Sequence, residues 1–263
     1  MSVTSLAVRP DGRIEHLFEL LDRTDYRIIT TDDDREAVFR LRYDSYVREE
    51  AIHPDFSRRL SDHFDDLDNT SIFGIFLEDE LVATIRASVG TADYPDFPGM
   101  DVFADYLTAE LAAGKVVVDS TRFAVKESTS REYPSLIPYI VARAPWMVAE
   151  HFNADNMLAA VRSEHRAFYA RVMDFKVVAG PEYYPKLSSP HFLMSCDYPA
   201  ARACVQRRHP VFRSTLFERR MLMEQQPLSP PPRISEIARL PTISSEKRPA
   251  AEREPADSVA APA

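Results

Sequence analysis

The chain has 263 residues, 45% of them apolar, and a formal net charge of −9 at pH 7. That length and apolar content suffice for one sizeable core or two small ones, and the acidic balance excludes a general nucleic-acid binder, which needs a basic face. The two cysteines, Cys196 and Cys204, show no metal-ligand or disulfide-framework spacing, so no metal site is expected and a reduced, cytoplasmic setting fits.

Residues 1–12 are polar, lack the apolar run of a signal peptide and are expected to be flexible. Residues 13–225 read as one folded domain. His16–Asp22 is expected to be a short helix and Tyr26–Thr30 a first strand. Asp32–Asp34 supply an N-cap and an acidic first turn for a helix reaching about Glu49. Ser71–Leu77 and Leu81–Ser88 are β-patterned runs joined by a polar turn, the pattern of a hairpin. Asp101–Ala113 reads as a helix capped by Gly114, and Val116–Val125 as a β-branched strand. Ser135–Asn153 is expected to be a helix kinked or broken near Pro145. Pro138, Arg143 and Pro145 also interrupt its most apolar part, which is too short to span a bilayer, so no integral membrane segment is expected.

Met157–Val161 follows as a buried strand, Glu164–Met173 as a helix, and Lys176–Ala179 and His191–Asp197 as strands. Pro199–Gln225 reads as one helix, entered through a proline tolerated in a first turn. Residues 226–263 hold eight prolines among Ala, Ser, Glu and Arg; such a segment cannot bury enough apolar surface to offset chain entropy and is expected to be a disordered tail. The order of elements implies an α/β (α+β) domain with a mixed central sheet flanked by helices.

Arg35, Phe39, Arg42 and Tyr46 recur at i, i+4, i+7 and i+11 and line one stripe of the first long helix. Two guanidinium groups and two aromatics there suit a carboxylate beside an apolar chain; the plainer alternative is a half-buried, snorkelling surface. Asp62, Asp65, Asp66 and Asp68 form an acidic cluster whose bland reading is a solvated loop or a set of caps. It is not a calcium loop, because Ser71 and Leu77 stand where Gly and Glu are needed. Arg86 on its strand is either an outward charge or part of a site. Asp119 and Arg122 are oddly spaced on their strand, so they face opposite ways unless a bulge intervenes. The six glycines make neither a GxGxxG motif nor a P-loop.

In order, Arg35-x3-Phe39, Asp62-x2-Asp65, Arg86 and Asp119-x2-Arg122-Phe123 resemble the pattern of the acyl-homoserine-lactone synthases. More closely, over residues 26–197, the chain resembles the GNAT-like long-chain N-acyl amino acid synthases, the FeeM-like proteins. That resemblance implies the GNAT acyl-CoA N-acyltransferase fold and an enzyme that moves a long-chain fatty acyl group from an acyl-carrier-protein thioester to the α-amine of an amino acid. It places Asp62, Asp65, Asp119 and Arg122 in the catalytic centre, the paired Asp62 and Asp65 orienting or deprotonating the amine. Arg35, Phe39 and Arg86 would bind substrate, with Arg35 or Arg86 on the acceptor carboxylate. It also implies a bulge in the 116–125 strand that splays its neighbour and frees N–H groups of Phe123, Ala124 and Val125 for the developing oxyanion. Tyr169 lies in a helix where many GNAT enzymes carry a tyrosine that protonates the departing thiolate. Asp119 stands where the lactone synthases have Glu, and Ser45 and Tyr46 where they have Trp. Both differences favour an amino-acid acceptor over adenosylmethionine. A lactone autoinducer synthase using S-adenosylmethionine is the alternative enzyme, and a catalytically inactive acyl-carrier or ligand-binding module the alternative of another class.

GNAT enzymes that use coenzyme A cradle its pyrophosphate in a Gly-rich loop, yet residues 125–138 contain no glycine. A donor on an acyl carrier protein has a single phosphodiester and needs less of a cradle, so it is expected ahead of acyl-CoA. Either is a substrate, and no resident cofactor is expected. Arg162, Arg166, Arg171, Arg202, Arg207 and Arg208 are available as a local basic dock for an acidic carrier, or are dispersed surface charge.

Overall fold

The computed structural model describes residues 10–224. The expected tail and residues 1–9 lie outside the described residues. Helix α1 (Pro10–Asp22) begins earlier than its apolar pattern suggested, with a proline at its start. Strand β1 (Thr24–Ile28) follows, then α2 (Asp32–Arg48). The N-cap of α2 is Thr31, whose side chain accepts the Asp34 N–H at 3.2 Å, and the three aspartates form the acidic first turn instead. Strands β2 (Thr70–Leu77) and β3 (Glu80–Gly90) form the expected hairpin, closed by Glu78 and Asp79 at φ 50° and 66°, the left-handed pair that matches the twist of a two-residue turn.

Helix α3 (Met100–Ala112) ends before Gly114 at φ +75°, and β4 (Val117–Val125) follows. A short helix, α4 (Glu127–Glu132), comes next and was not foreseen: among its six residues only Thr129 is buried, so it carries no apolar period. Helix α5 (Ile137–His151) runs continuously through Pro145 and is neither broken nor split there. It is followed by β5 (Asn156–Val161), α6 (Arg166–Met173), β6 (Lys176–Glu182) and β7 (His191–Asp197). The single helix expected over 199–225 is two, α7 (Tyr198–Arg208) and α8 (Leu216–Met223), separated by a 3-10 turn at Pro210–Phe212. Pro210 lacks the N–H and pushes His209 out of helical geometry, to φ −131° and ψ 80°.

Seven strands form one sheet in the order β1-β2-β3-β4-β5-β7-β6, antiparallel except for the β4–β5 pair. Every residue of β2 is buried, as expected of a strand covered on both faces. Phe73, Ile75, Ile85, Val118, Met157 and Met194 point to one face, where α5 brings Trp146 and Met147 into the main core. The opposite face carries polar side chains under α2 and α3, and the site lies there.

Arg143 ties the C-terminal segment to that core. Its Nε donates to the Val211 carbonyl at 2.7 Å and its Nη2 to that of Arg213 at 2.9 Å, with Glu218 2.7 Å away. The half-buried Glu150 similarly receives Tyr198 Oη at 2.9 Å and Gln206 Nε2 at 2.8 Å.

Candidate active site

Register places the polar groups. Ile72, Arg86 and Thr121 form one cross-strand row, and Thr70, Ser88, Asp119 and Leu158 the next, and members of such rows share a face. Arg86 is therefore no outward charge: α2 and the turn at residues 63–66 cover it, and it is 1% exposed. Its Nε donates to Thr121 Oγ1 at 3.0 Å, its Nη1 to Asp65 Oδ1 at 3.0 Å and to Asp62 Oδ1, and its Nη2 to Asp62 Oδ2 at 3.3 Å.

These contacts belong to a ladder of alternating charge, Arg42–Asp65–Arg86–Asp62–Arg122. Arg42, fully buried on α2, donates from Nη1 to Asp65 Oδ1 at 2.8 Å, and Arg122 Nη2 donates to Asp62 Oδ2. Of the two plain readings of the acidic cluster, a solvated loop or a set of caps, the second holds for Asp62 and Asp65, which form a capping box: Asp62 Oδ1 accepts the Phe64 N–H and Asp65 Oδ2 the Asp62 N–H, both at 3.1 Å. Burial alone would raise the pKa of both carboxyls. For Asp62 the pairing with Arg86 and Arg122, and for Asp65 that with Arg42 and Arg86, outweighs burial and holds each below the usual carboxylate range. A carboxylate held down in this way is a weak proton acceptor.

Arg35 stands apart from the ladder. It donates to the Asp65 carbonyl at 3.1 Å and pairs with Asp66. Phe39, expected to touch substrate, is core: it is packed with Ile29, Val38, Ile72 and Phe76, with the guanidinium groups of Arg35 and Arg42 5.4 and 5.5 Å from its ring centre. Among the described residues, Nε and Nη2 of Arg42 are buried without a partner, and the Arg122 side chain makes no hydrogen bond beyond the one to Asp62.

Asp119 differs from the other two carboxylates. It is fully buried, its Oδ2 accepts the Gly99 N–H at 2.8 Å, and its Oδ1 has no partner among the described residues. Burial pushes its pKa up to about 6, against the opposing pull of the Gly99 N–H and Arg86. Gly99 permits this close approach: a Cβ there would stand 2.9 Å from Leu107 Cδ1 and 3.3 Å from Asp119 Oδ2.

A bulge brings Arg122 to the same side. Thr84 pairs with Ala124 and Arg86 with Thr121, so Arg122 and Phe123 together oppose Ile85. Arg122 sits at φ 57°, a left-handed conformation costing a non-glycine residue about 1–3 kcal/mol. The extra residue re-aims its side chain and resolves the odd spacing from Asp119. Beyond the bulge the sheet opens. Pairing of β4 with β5 ends at Ser120–Ala159, although β4 continues to Val125 and β5 to Val161 beside β7. The Lys126 N–H bonds the Val82 carbonyl at 2.8 Å, so by ladder alternation the N–H and C=O of Val125 face the gap. The same alternation turns those of Ala124 toward Thr84 on β3, which removes Ala124 from the expected donors.

The C-terminal end of α2 is tied to both walls of the gap. Arg48 Nη2 donates to the Val125 carbonyl at 3.1 Å, and Arg162, just after β5, donates to the Glu49 carbonyl at 3.1 Å. Tyr46 lies 5.9 Å from the Arg122 guanidinium. Burial, then Tyr46, push the Tyr169 hydroxyl above the usual phenol range. A cleft of about 850 Å³ adjoins the outer end of β4, lined by Arg48, Val125 and Lys126 among others. Arg42, Arg48 and Gly99 escaped assignment from sequence. Only Arg42, a member of the α2 stripe, carried a visible signal.

Sheet order, bulge and gap together give the fold of a GNAT-like N-acyltransferase. Residues 37–197, more than half of the chain, match the family model described as N-acyl amino acid synthase FeeM, and the chain belongs to that family. Among solved structures, FeeM, an N-acyl amino acid synthase from uncultured soil microbes, is 22% identical with a TM-score of 0.56, covering 70% of this chain and 98% of its own. BjaI, a CoA-dependent acyl-homoserine lactone synthase solved with MTA, is 15% identical with a TM-score of 0.52, covering 71% and 90%. TofI, solved with an inhibitor and MTA, is 14% identical with a TM-score of 0.53, covering 73% and 100%. At these identities the likenesses establish the fold. No curated protein sequence matches the chain.

Proposed function

We propose that the chain moves a long-chain acyl group from a carrier-protein thioester to the α-amine of an amino acid. The observation that carries this reading is the pairing of two unlike groups on one face: Asp119, a buried carboxylate with a free oxygen, and Arg122, a guanidinium with unused donors beside the open gap. Asp119 receives the amine proton and Arg122 receives the acceptor carboxylate. Of the two arginines expected there, Arg86 is engaged through all three of its nitrogens with protein oxygens, and Arg35 is turned to Asp66 and the Asp65 carbonyl, apart from the ladder. Asp62 and Asp65 hold the arginines in place.

The thioester carbonyl lies in the gap with its oxygen on the Val125 N–H, where the developing oxyanion is stabilised. The amine nitrogen bonds the carbonyl carbon and its proton passes to Asp119. The carbon–sulfur bond then breaks, and Tyr169 supplies a proton to the thiolate. Arg122→Ala should leave the protein folded and lower kcat/KM for the amino acid roughly 30–150-fold, the effect of truncating one partner of a charge-assisted contact. Retained activity in that variant would remove Arg122 from the site.

Helix α4 begins directly after β4 with Glu127 in its first turn, a poor setting for a pyrophosphate and a reason to favour a carrier-borne donor. Of the six candidate docking arginines, Arg162 pairs with Glu164 and Arg202 with Glu150. Arg166 and Arg171 on α6 and Arg207 and Arg208 on α7 have no acidic partner among the described residues, and Arg208 bridges the two helices to the Arg171 carbonyl at 3.0 Å. Kinetics with palmitoyl-carrier protein and palmitoyl-CoA as alternative donors test this. Charge reversal at Arg171 and Arg207 should raise KM about tenfold for the carrier donor only. An equal loss with both donors, or a preference for palmitoyl-CoA, would contradict the dock.

A further inference from the structure

Tyr184 lies on the loop between β6 and β7, and neither the ladder nor the gap uses it. Its ring packs edge-on against Phe103 at 6.0 Å and His191 at 5.7 Å. It belongs to the small cluster that contains Phe97, Leu107, Val117 and Leu158, residues that also surround Asp119: Leu158 is its partner across the sheet, and Phe97 and Leu107 crowd Gly99 beside it. The loop is fixed in place. The Ser188 N–H bonds the Ala51 carbonyl at 2.9 Å, and Leu187 packs with Tyr43, Ile52 and Leu60.

The Tyr184 hydroxyl oxygen is buried and has no hydrogen-bond partner among the described residues, which is also true of Asp119 Oδ1. Buried phenols and carboxylates normally find partners. The Asp119 oxygen offers only lone pairs, and the Tyr184 hydroxyl has a lone pair beside its own O–H, so an amine in this neighbourhood can donate one hydrogen to each. Burial, then Asp119 and Asp101, push the Tyr184 hydroxyl well above the usual phenol range, while Arg122 and Arg86 oppose them. The phenol therefore stays protonated, and its oxygen lies within the field of the ladder.

Resting on the function proposed above, we infer that Tyr184 Oη and Asp119 Oδ1 together grip the acceptor's amino nitrogen, each accepting one N–H, so that Tyr184 positions the nucleophile and selects primary amines. A nitrogen held at two hydrogens keeps its lone pair for the carbonyl carbon. A hydroxy acid offers one hydrogen and leaves one oxygen unpaired. An N-methyl amino acid has the same deficit once its ammonium has lost a proton, and its methyl group takes the position of the missing N–H.

The test compares the wild-type protein with Tyr184→Phe, which keeps the ring and its packing. Kinetics are measured with palmitoyl-carrier protein as donor and with an amino acid or its N-methyl derivative as acceptor. The inference predicts about a tenfold rise in KM for the amino acid, an unchanged KM for the donor, and a loss of discrimination against the N-methyl acceptor. Unchanged discrimination, or KM values for donor and acceptor that rise together, would assign Tyr184 a structural part only and overturn the inference. A wild-type protein that forms no acyl amide would instead overturn the underlying function, and the two failures are distinct.

Discussion

Asp119→Asn is expected to lower kcat by about 10²–10⁴-fold, the usual contribution of a positioned general base, and to stabilise the fold at neutral pH. Both effects have one cause. The carboxyl is fully buried and titrates at about 6 rather than near its ordinary 3.8. A carboxyl whose folded pKa lies above its unfolded value favours the fold while protonated. That advantage is complete below about pH 4 and is lost as pH rises through about 6. At about 1.4 kcal/mol per pH unit, ionising Asp119 costs the folded protein about 3 kcal/mol at neutral pH. Asparagine avoids that cost and can still accept the Gly99 N–H.

Denaturation midpoints should thus favour the variant at pH 7.5, with the difference vanishing near pH 4. The acid limb of the wild-type kcat/KM profile, falling below about pH 6, should be absent from its residual activity. A variant that loses activity and stability together at pH 7.5 would make Asp119 a structural residue.

Arg86→Leu is expected to cost the fold about 3–5 kcal/mol, the range for removing one member of a buried ion pair. Asp65, whose side chain is 1% exposed, would keep only Arg42, and Asp62 would keep only Arg122. Urea midpoints should fall with little change in slope. The pH dependence has a definite sign. Asp62 and Asp65 are held below the ordinary carboxylate range, so the stability they contribute is present above about pH 4 and is lost as pH falls through their folded values. Without Arg86 those values rise, and acid unfolding should begin at a higher pH than in the wild type.

Much of the sheet was legible because its strands are short, largely apolar runs between polar turns. The hairpin at Glu78 and Asp79 and the β7 limits, His191–Asp197, are examples. Pro210 did mark the break between α7 and α8, but the apolar pattern on both sides masked it. The site residues were recognisable as a set while their division of labour was not. Arg86 and Asp62 are 24 positions apart, and only the register of three strands decides that the arginine is buried against the acids. Asp65 and Asp119 look alike as letters. One is paired with two arginines and the other keeps a free oxygen under Gly99. Tyr184 reaches Asp119's surroundings through the β6–β7 loop, a long-range placement that its position in the chain does not disclose.

The most direct test is a mass measurement on purified wild-type protein incubated with palmitoyl-carrier protein and pooled amino acids. The account predicts a new species with the mass of a palmitoyl amide of an amino acid, formed mole for mole with the carrier thiol released. Thiol release without amide, or release of methylthioadenosine from added adenosylmethionine with a lactone as product, would contradict it.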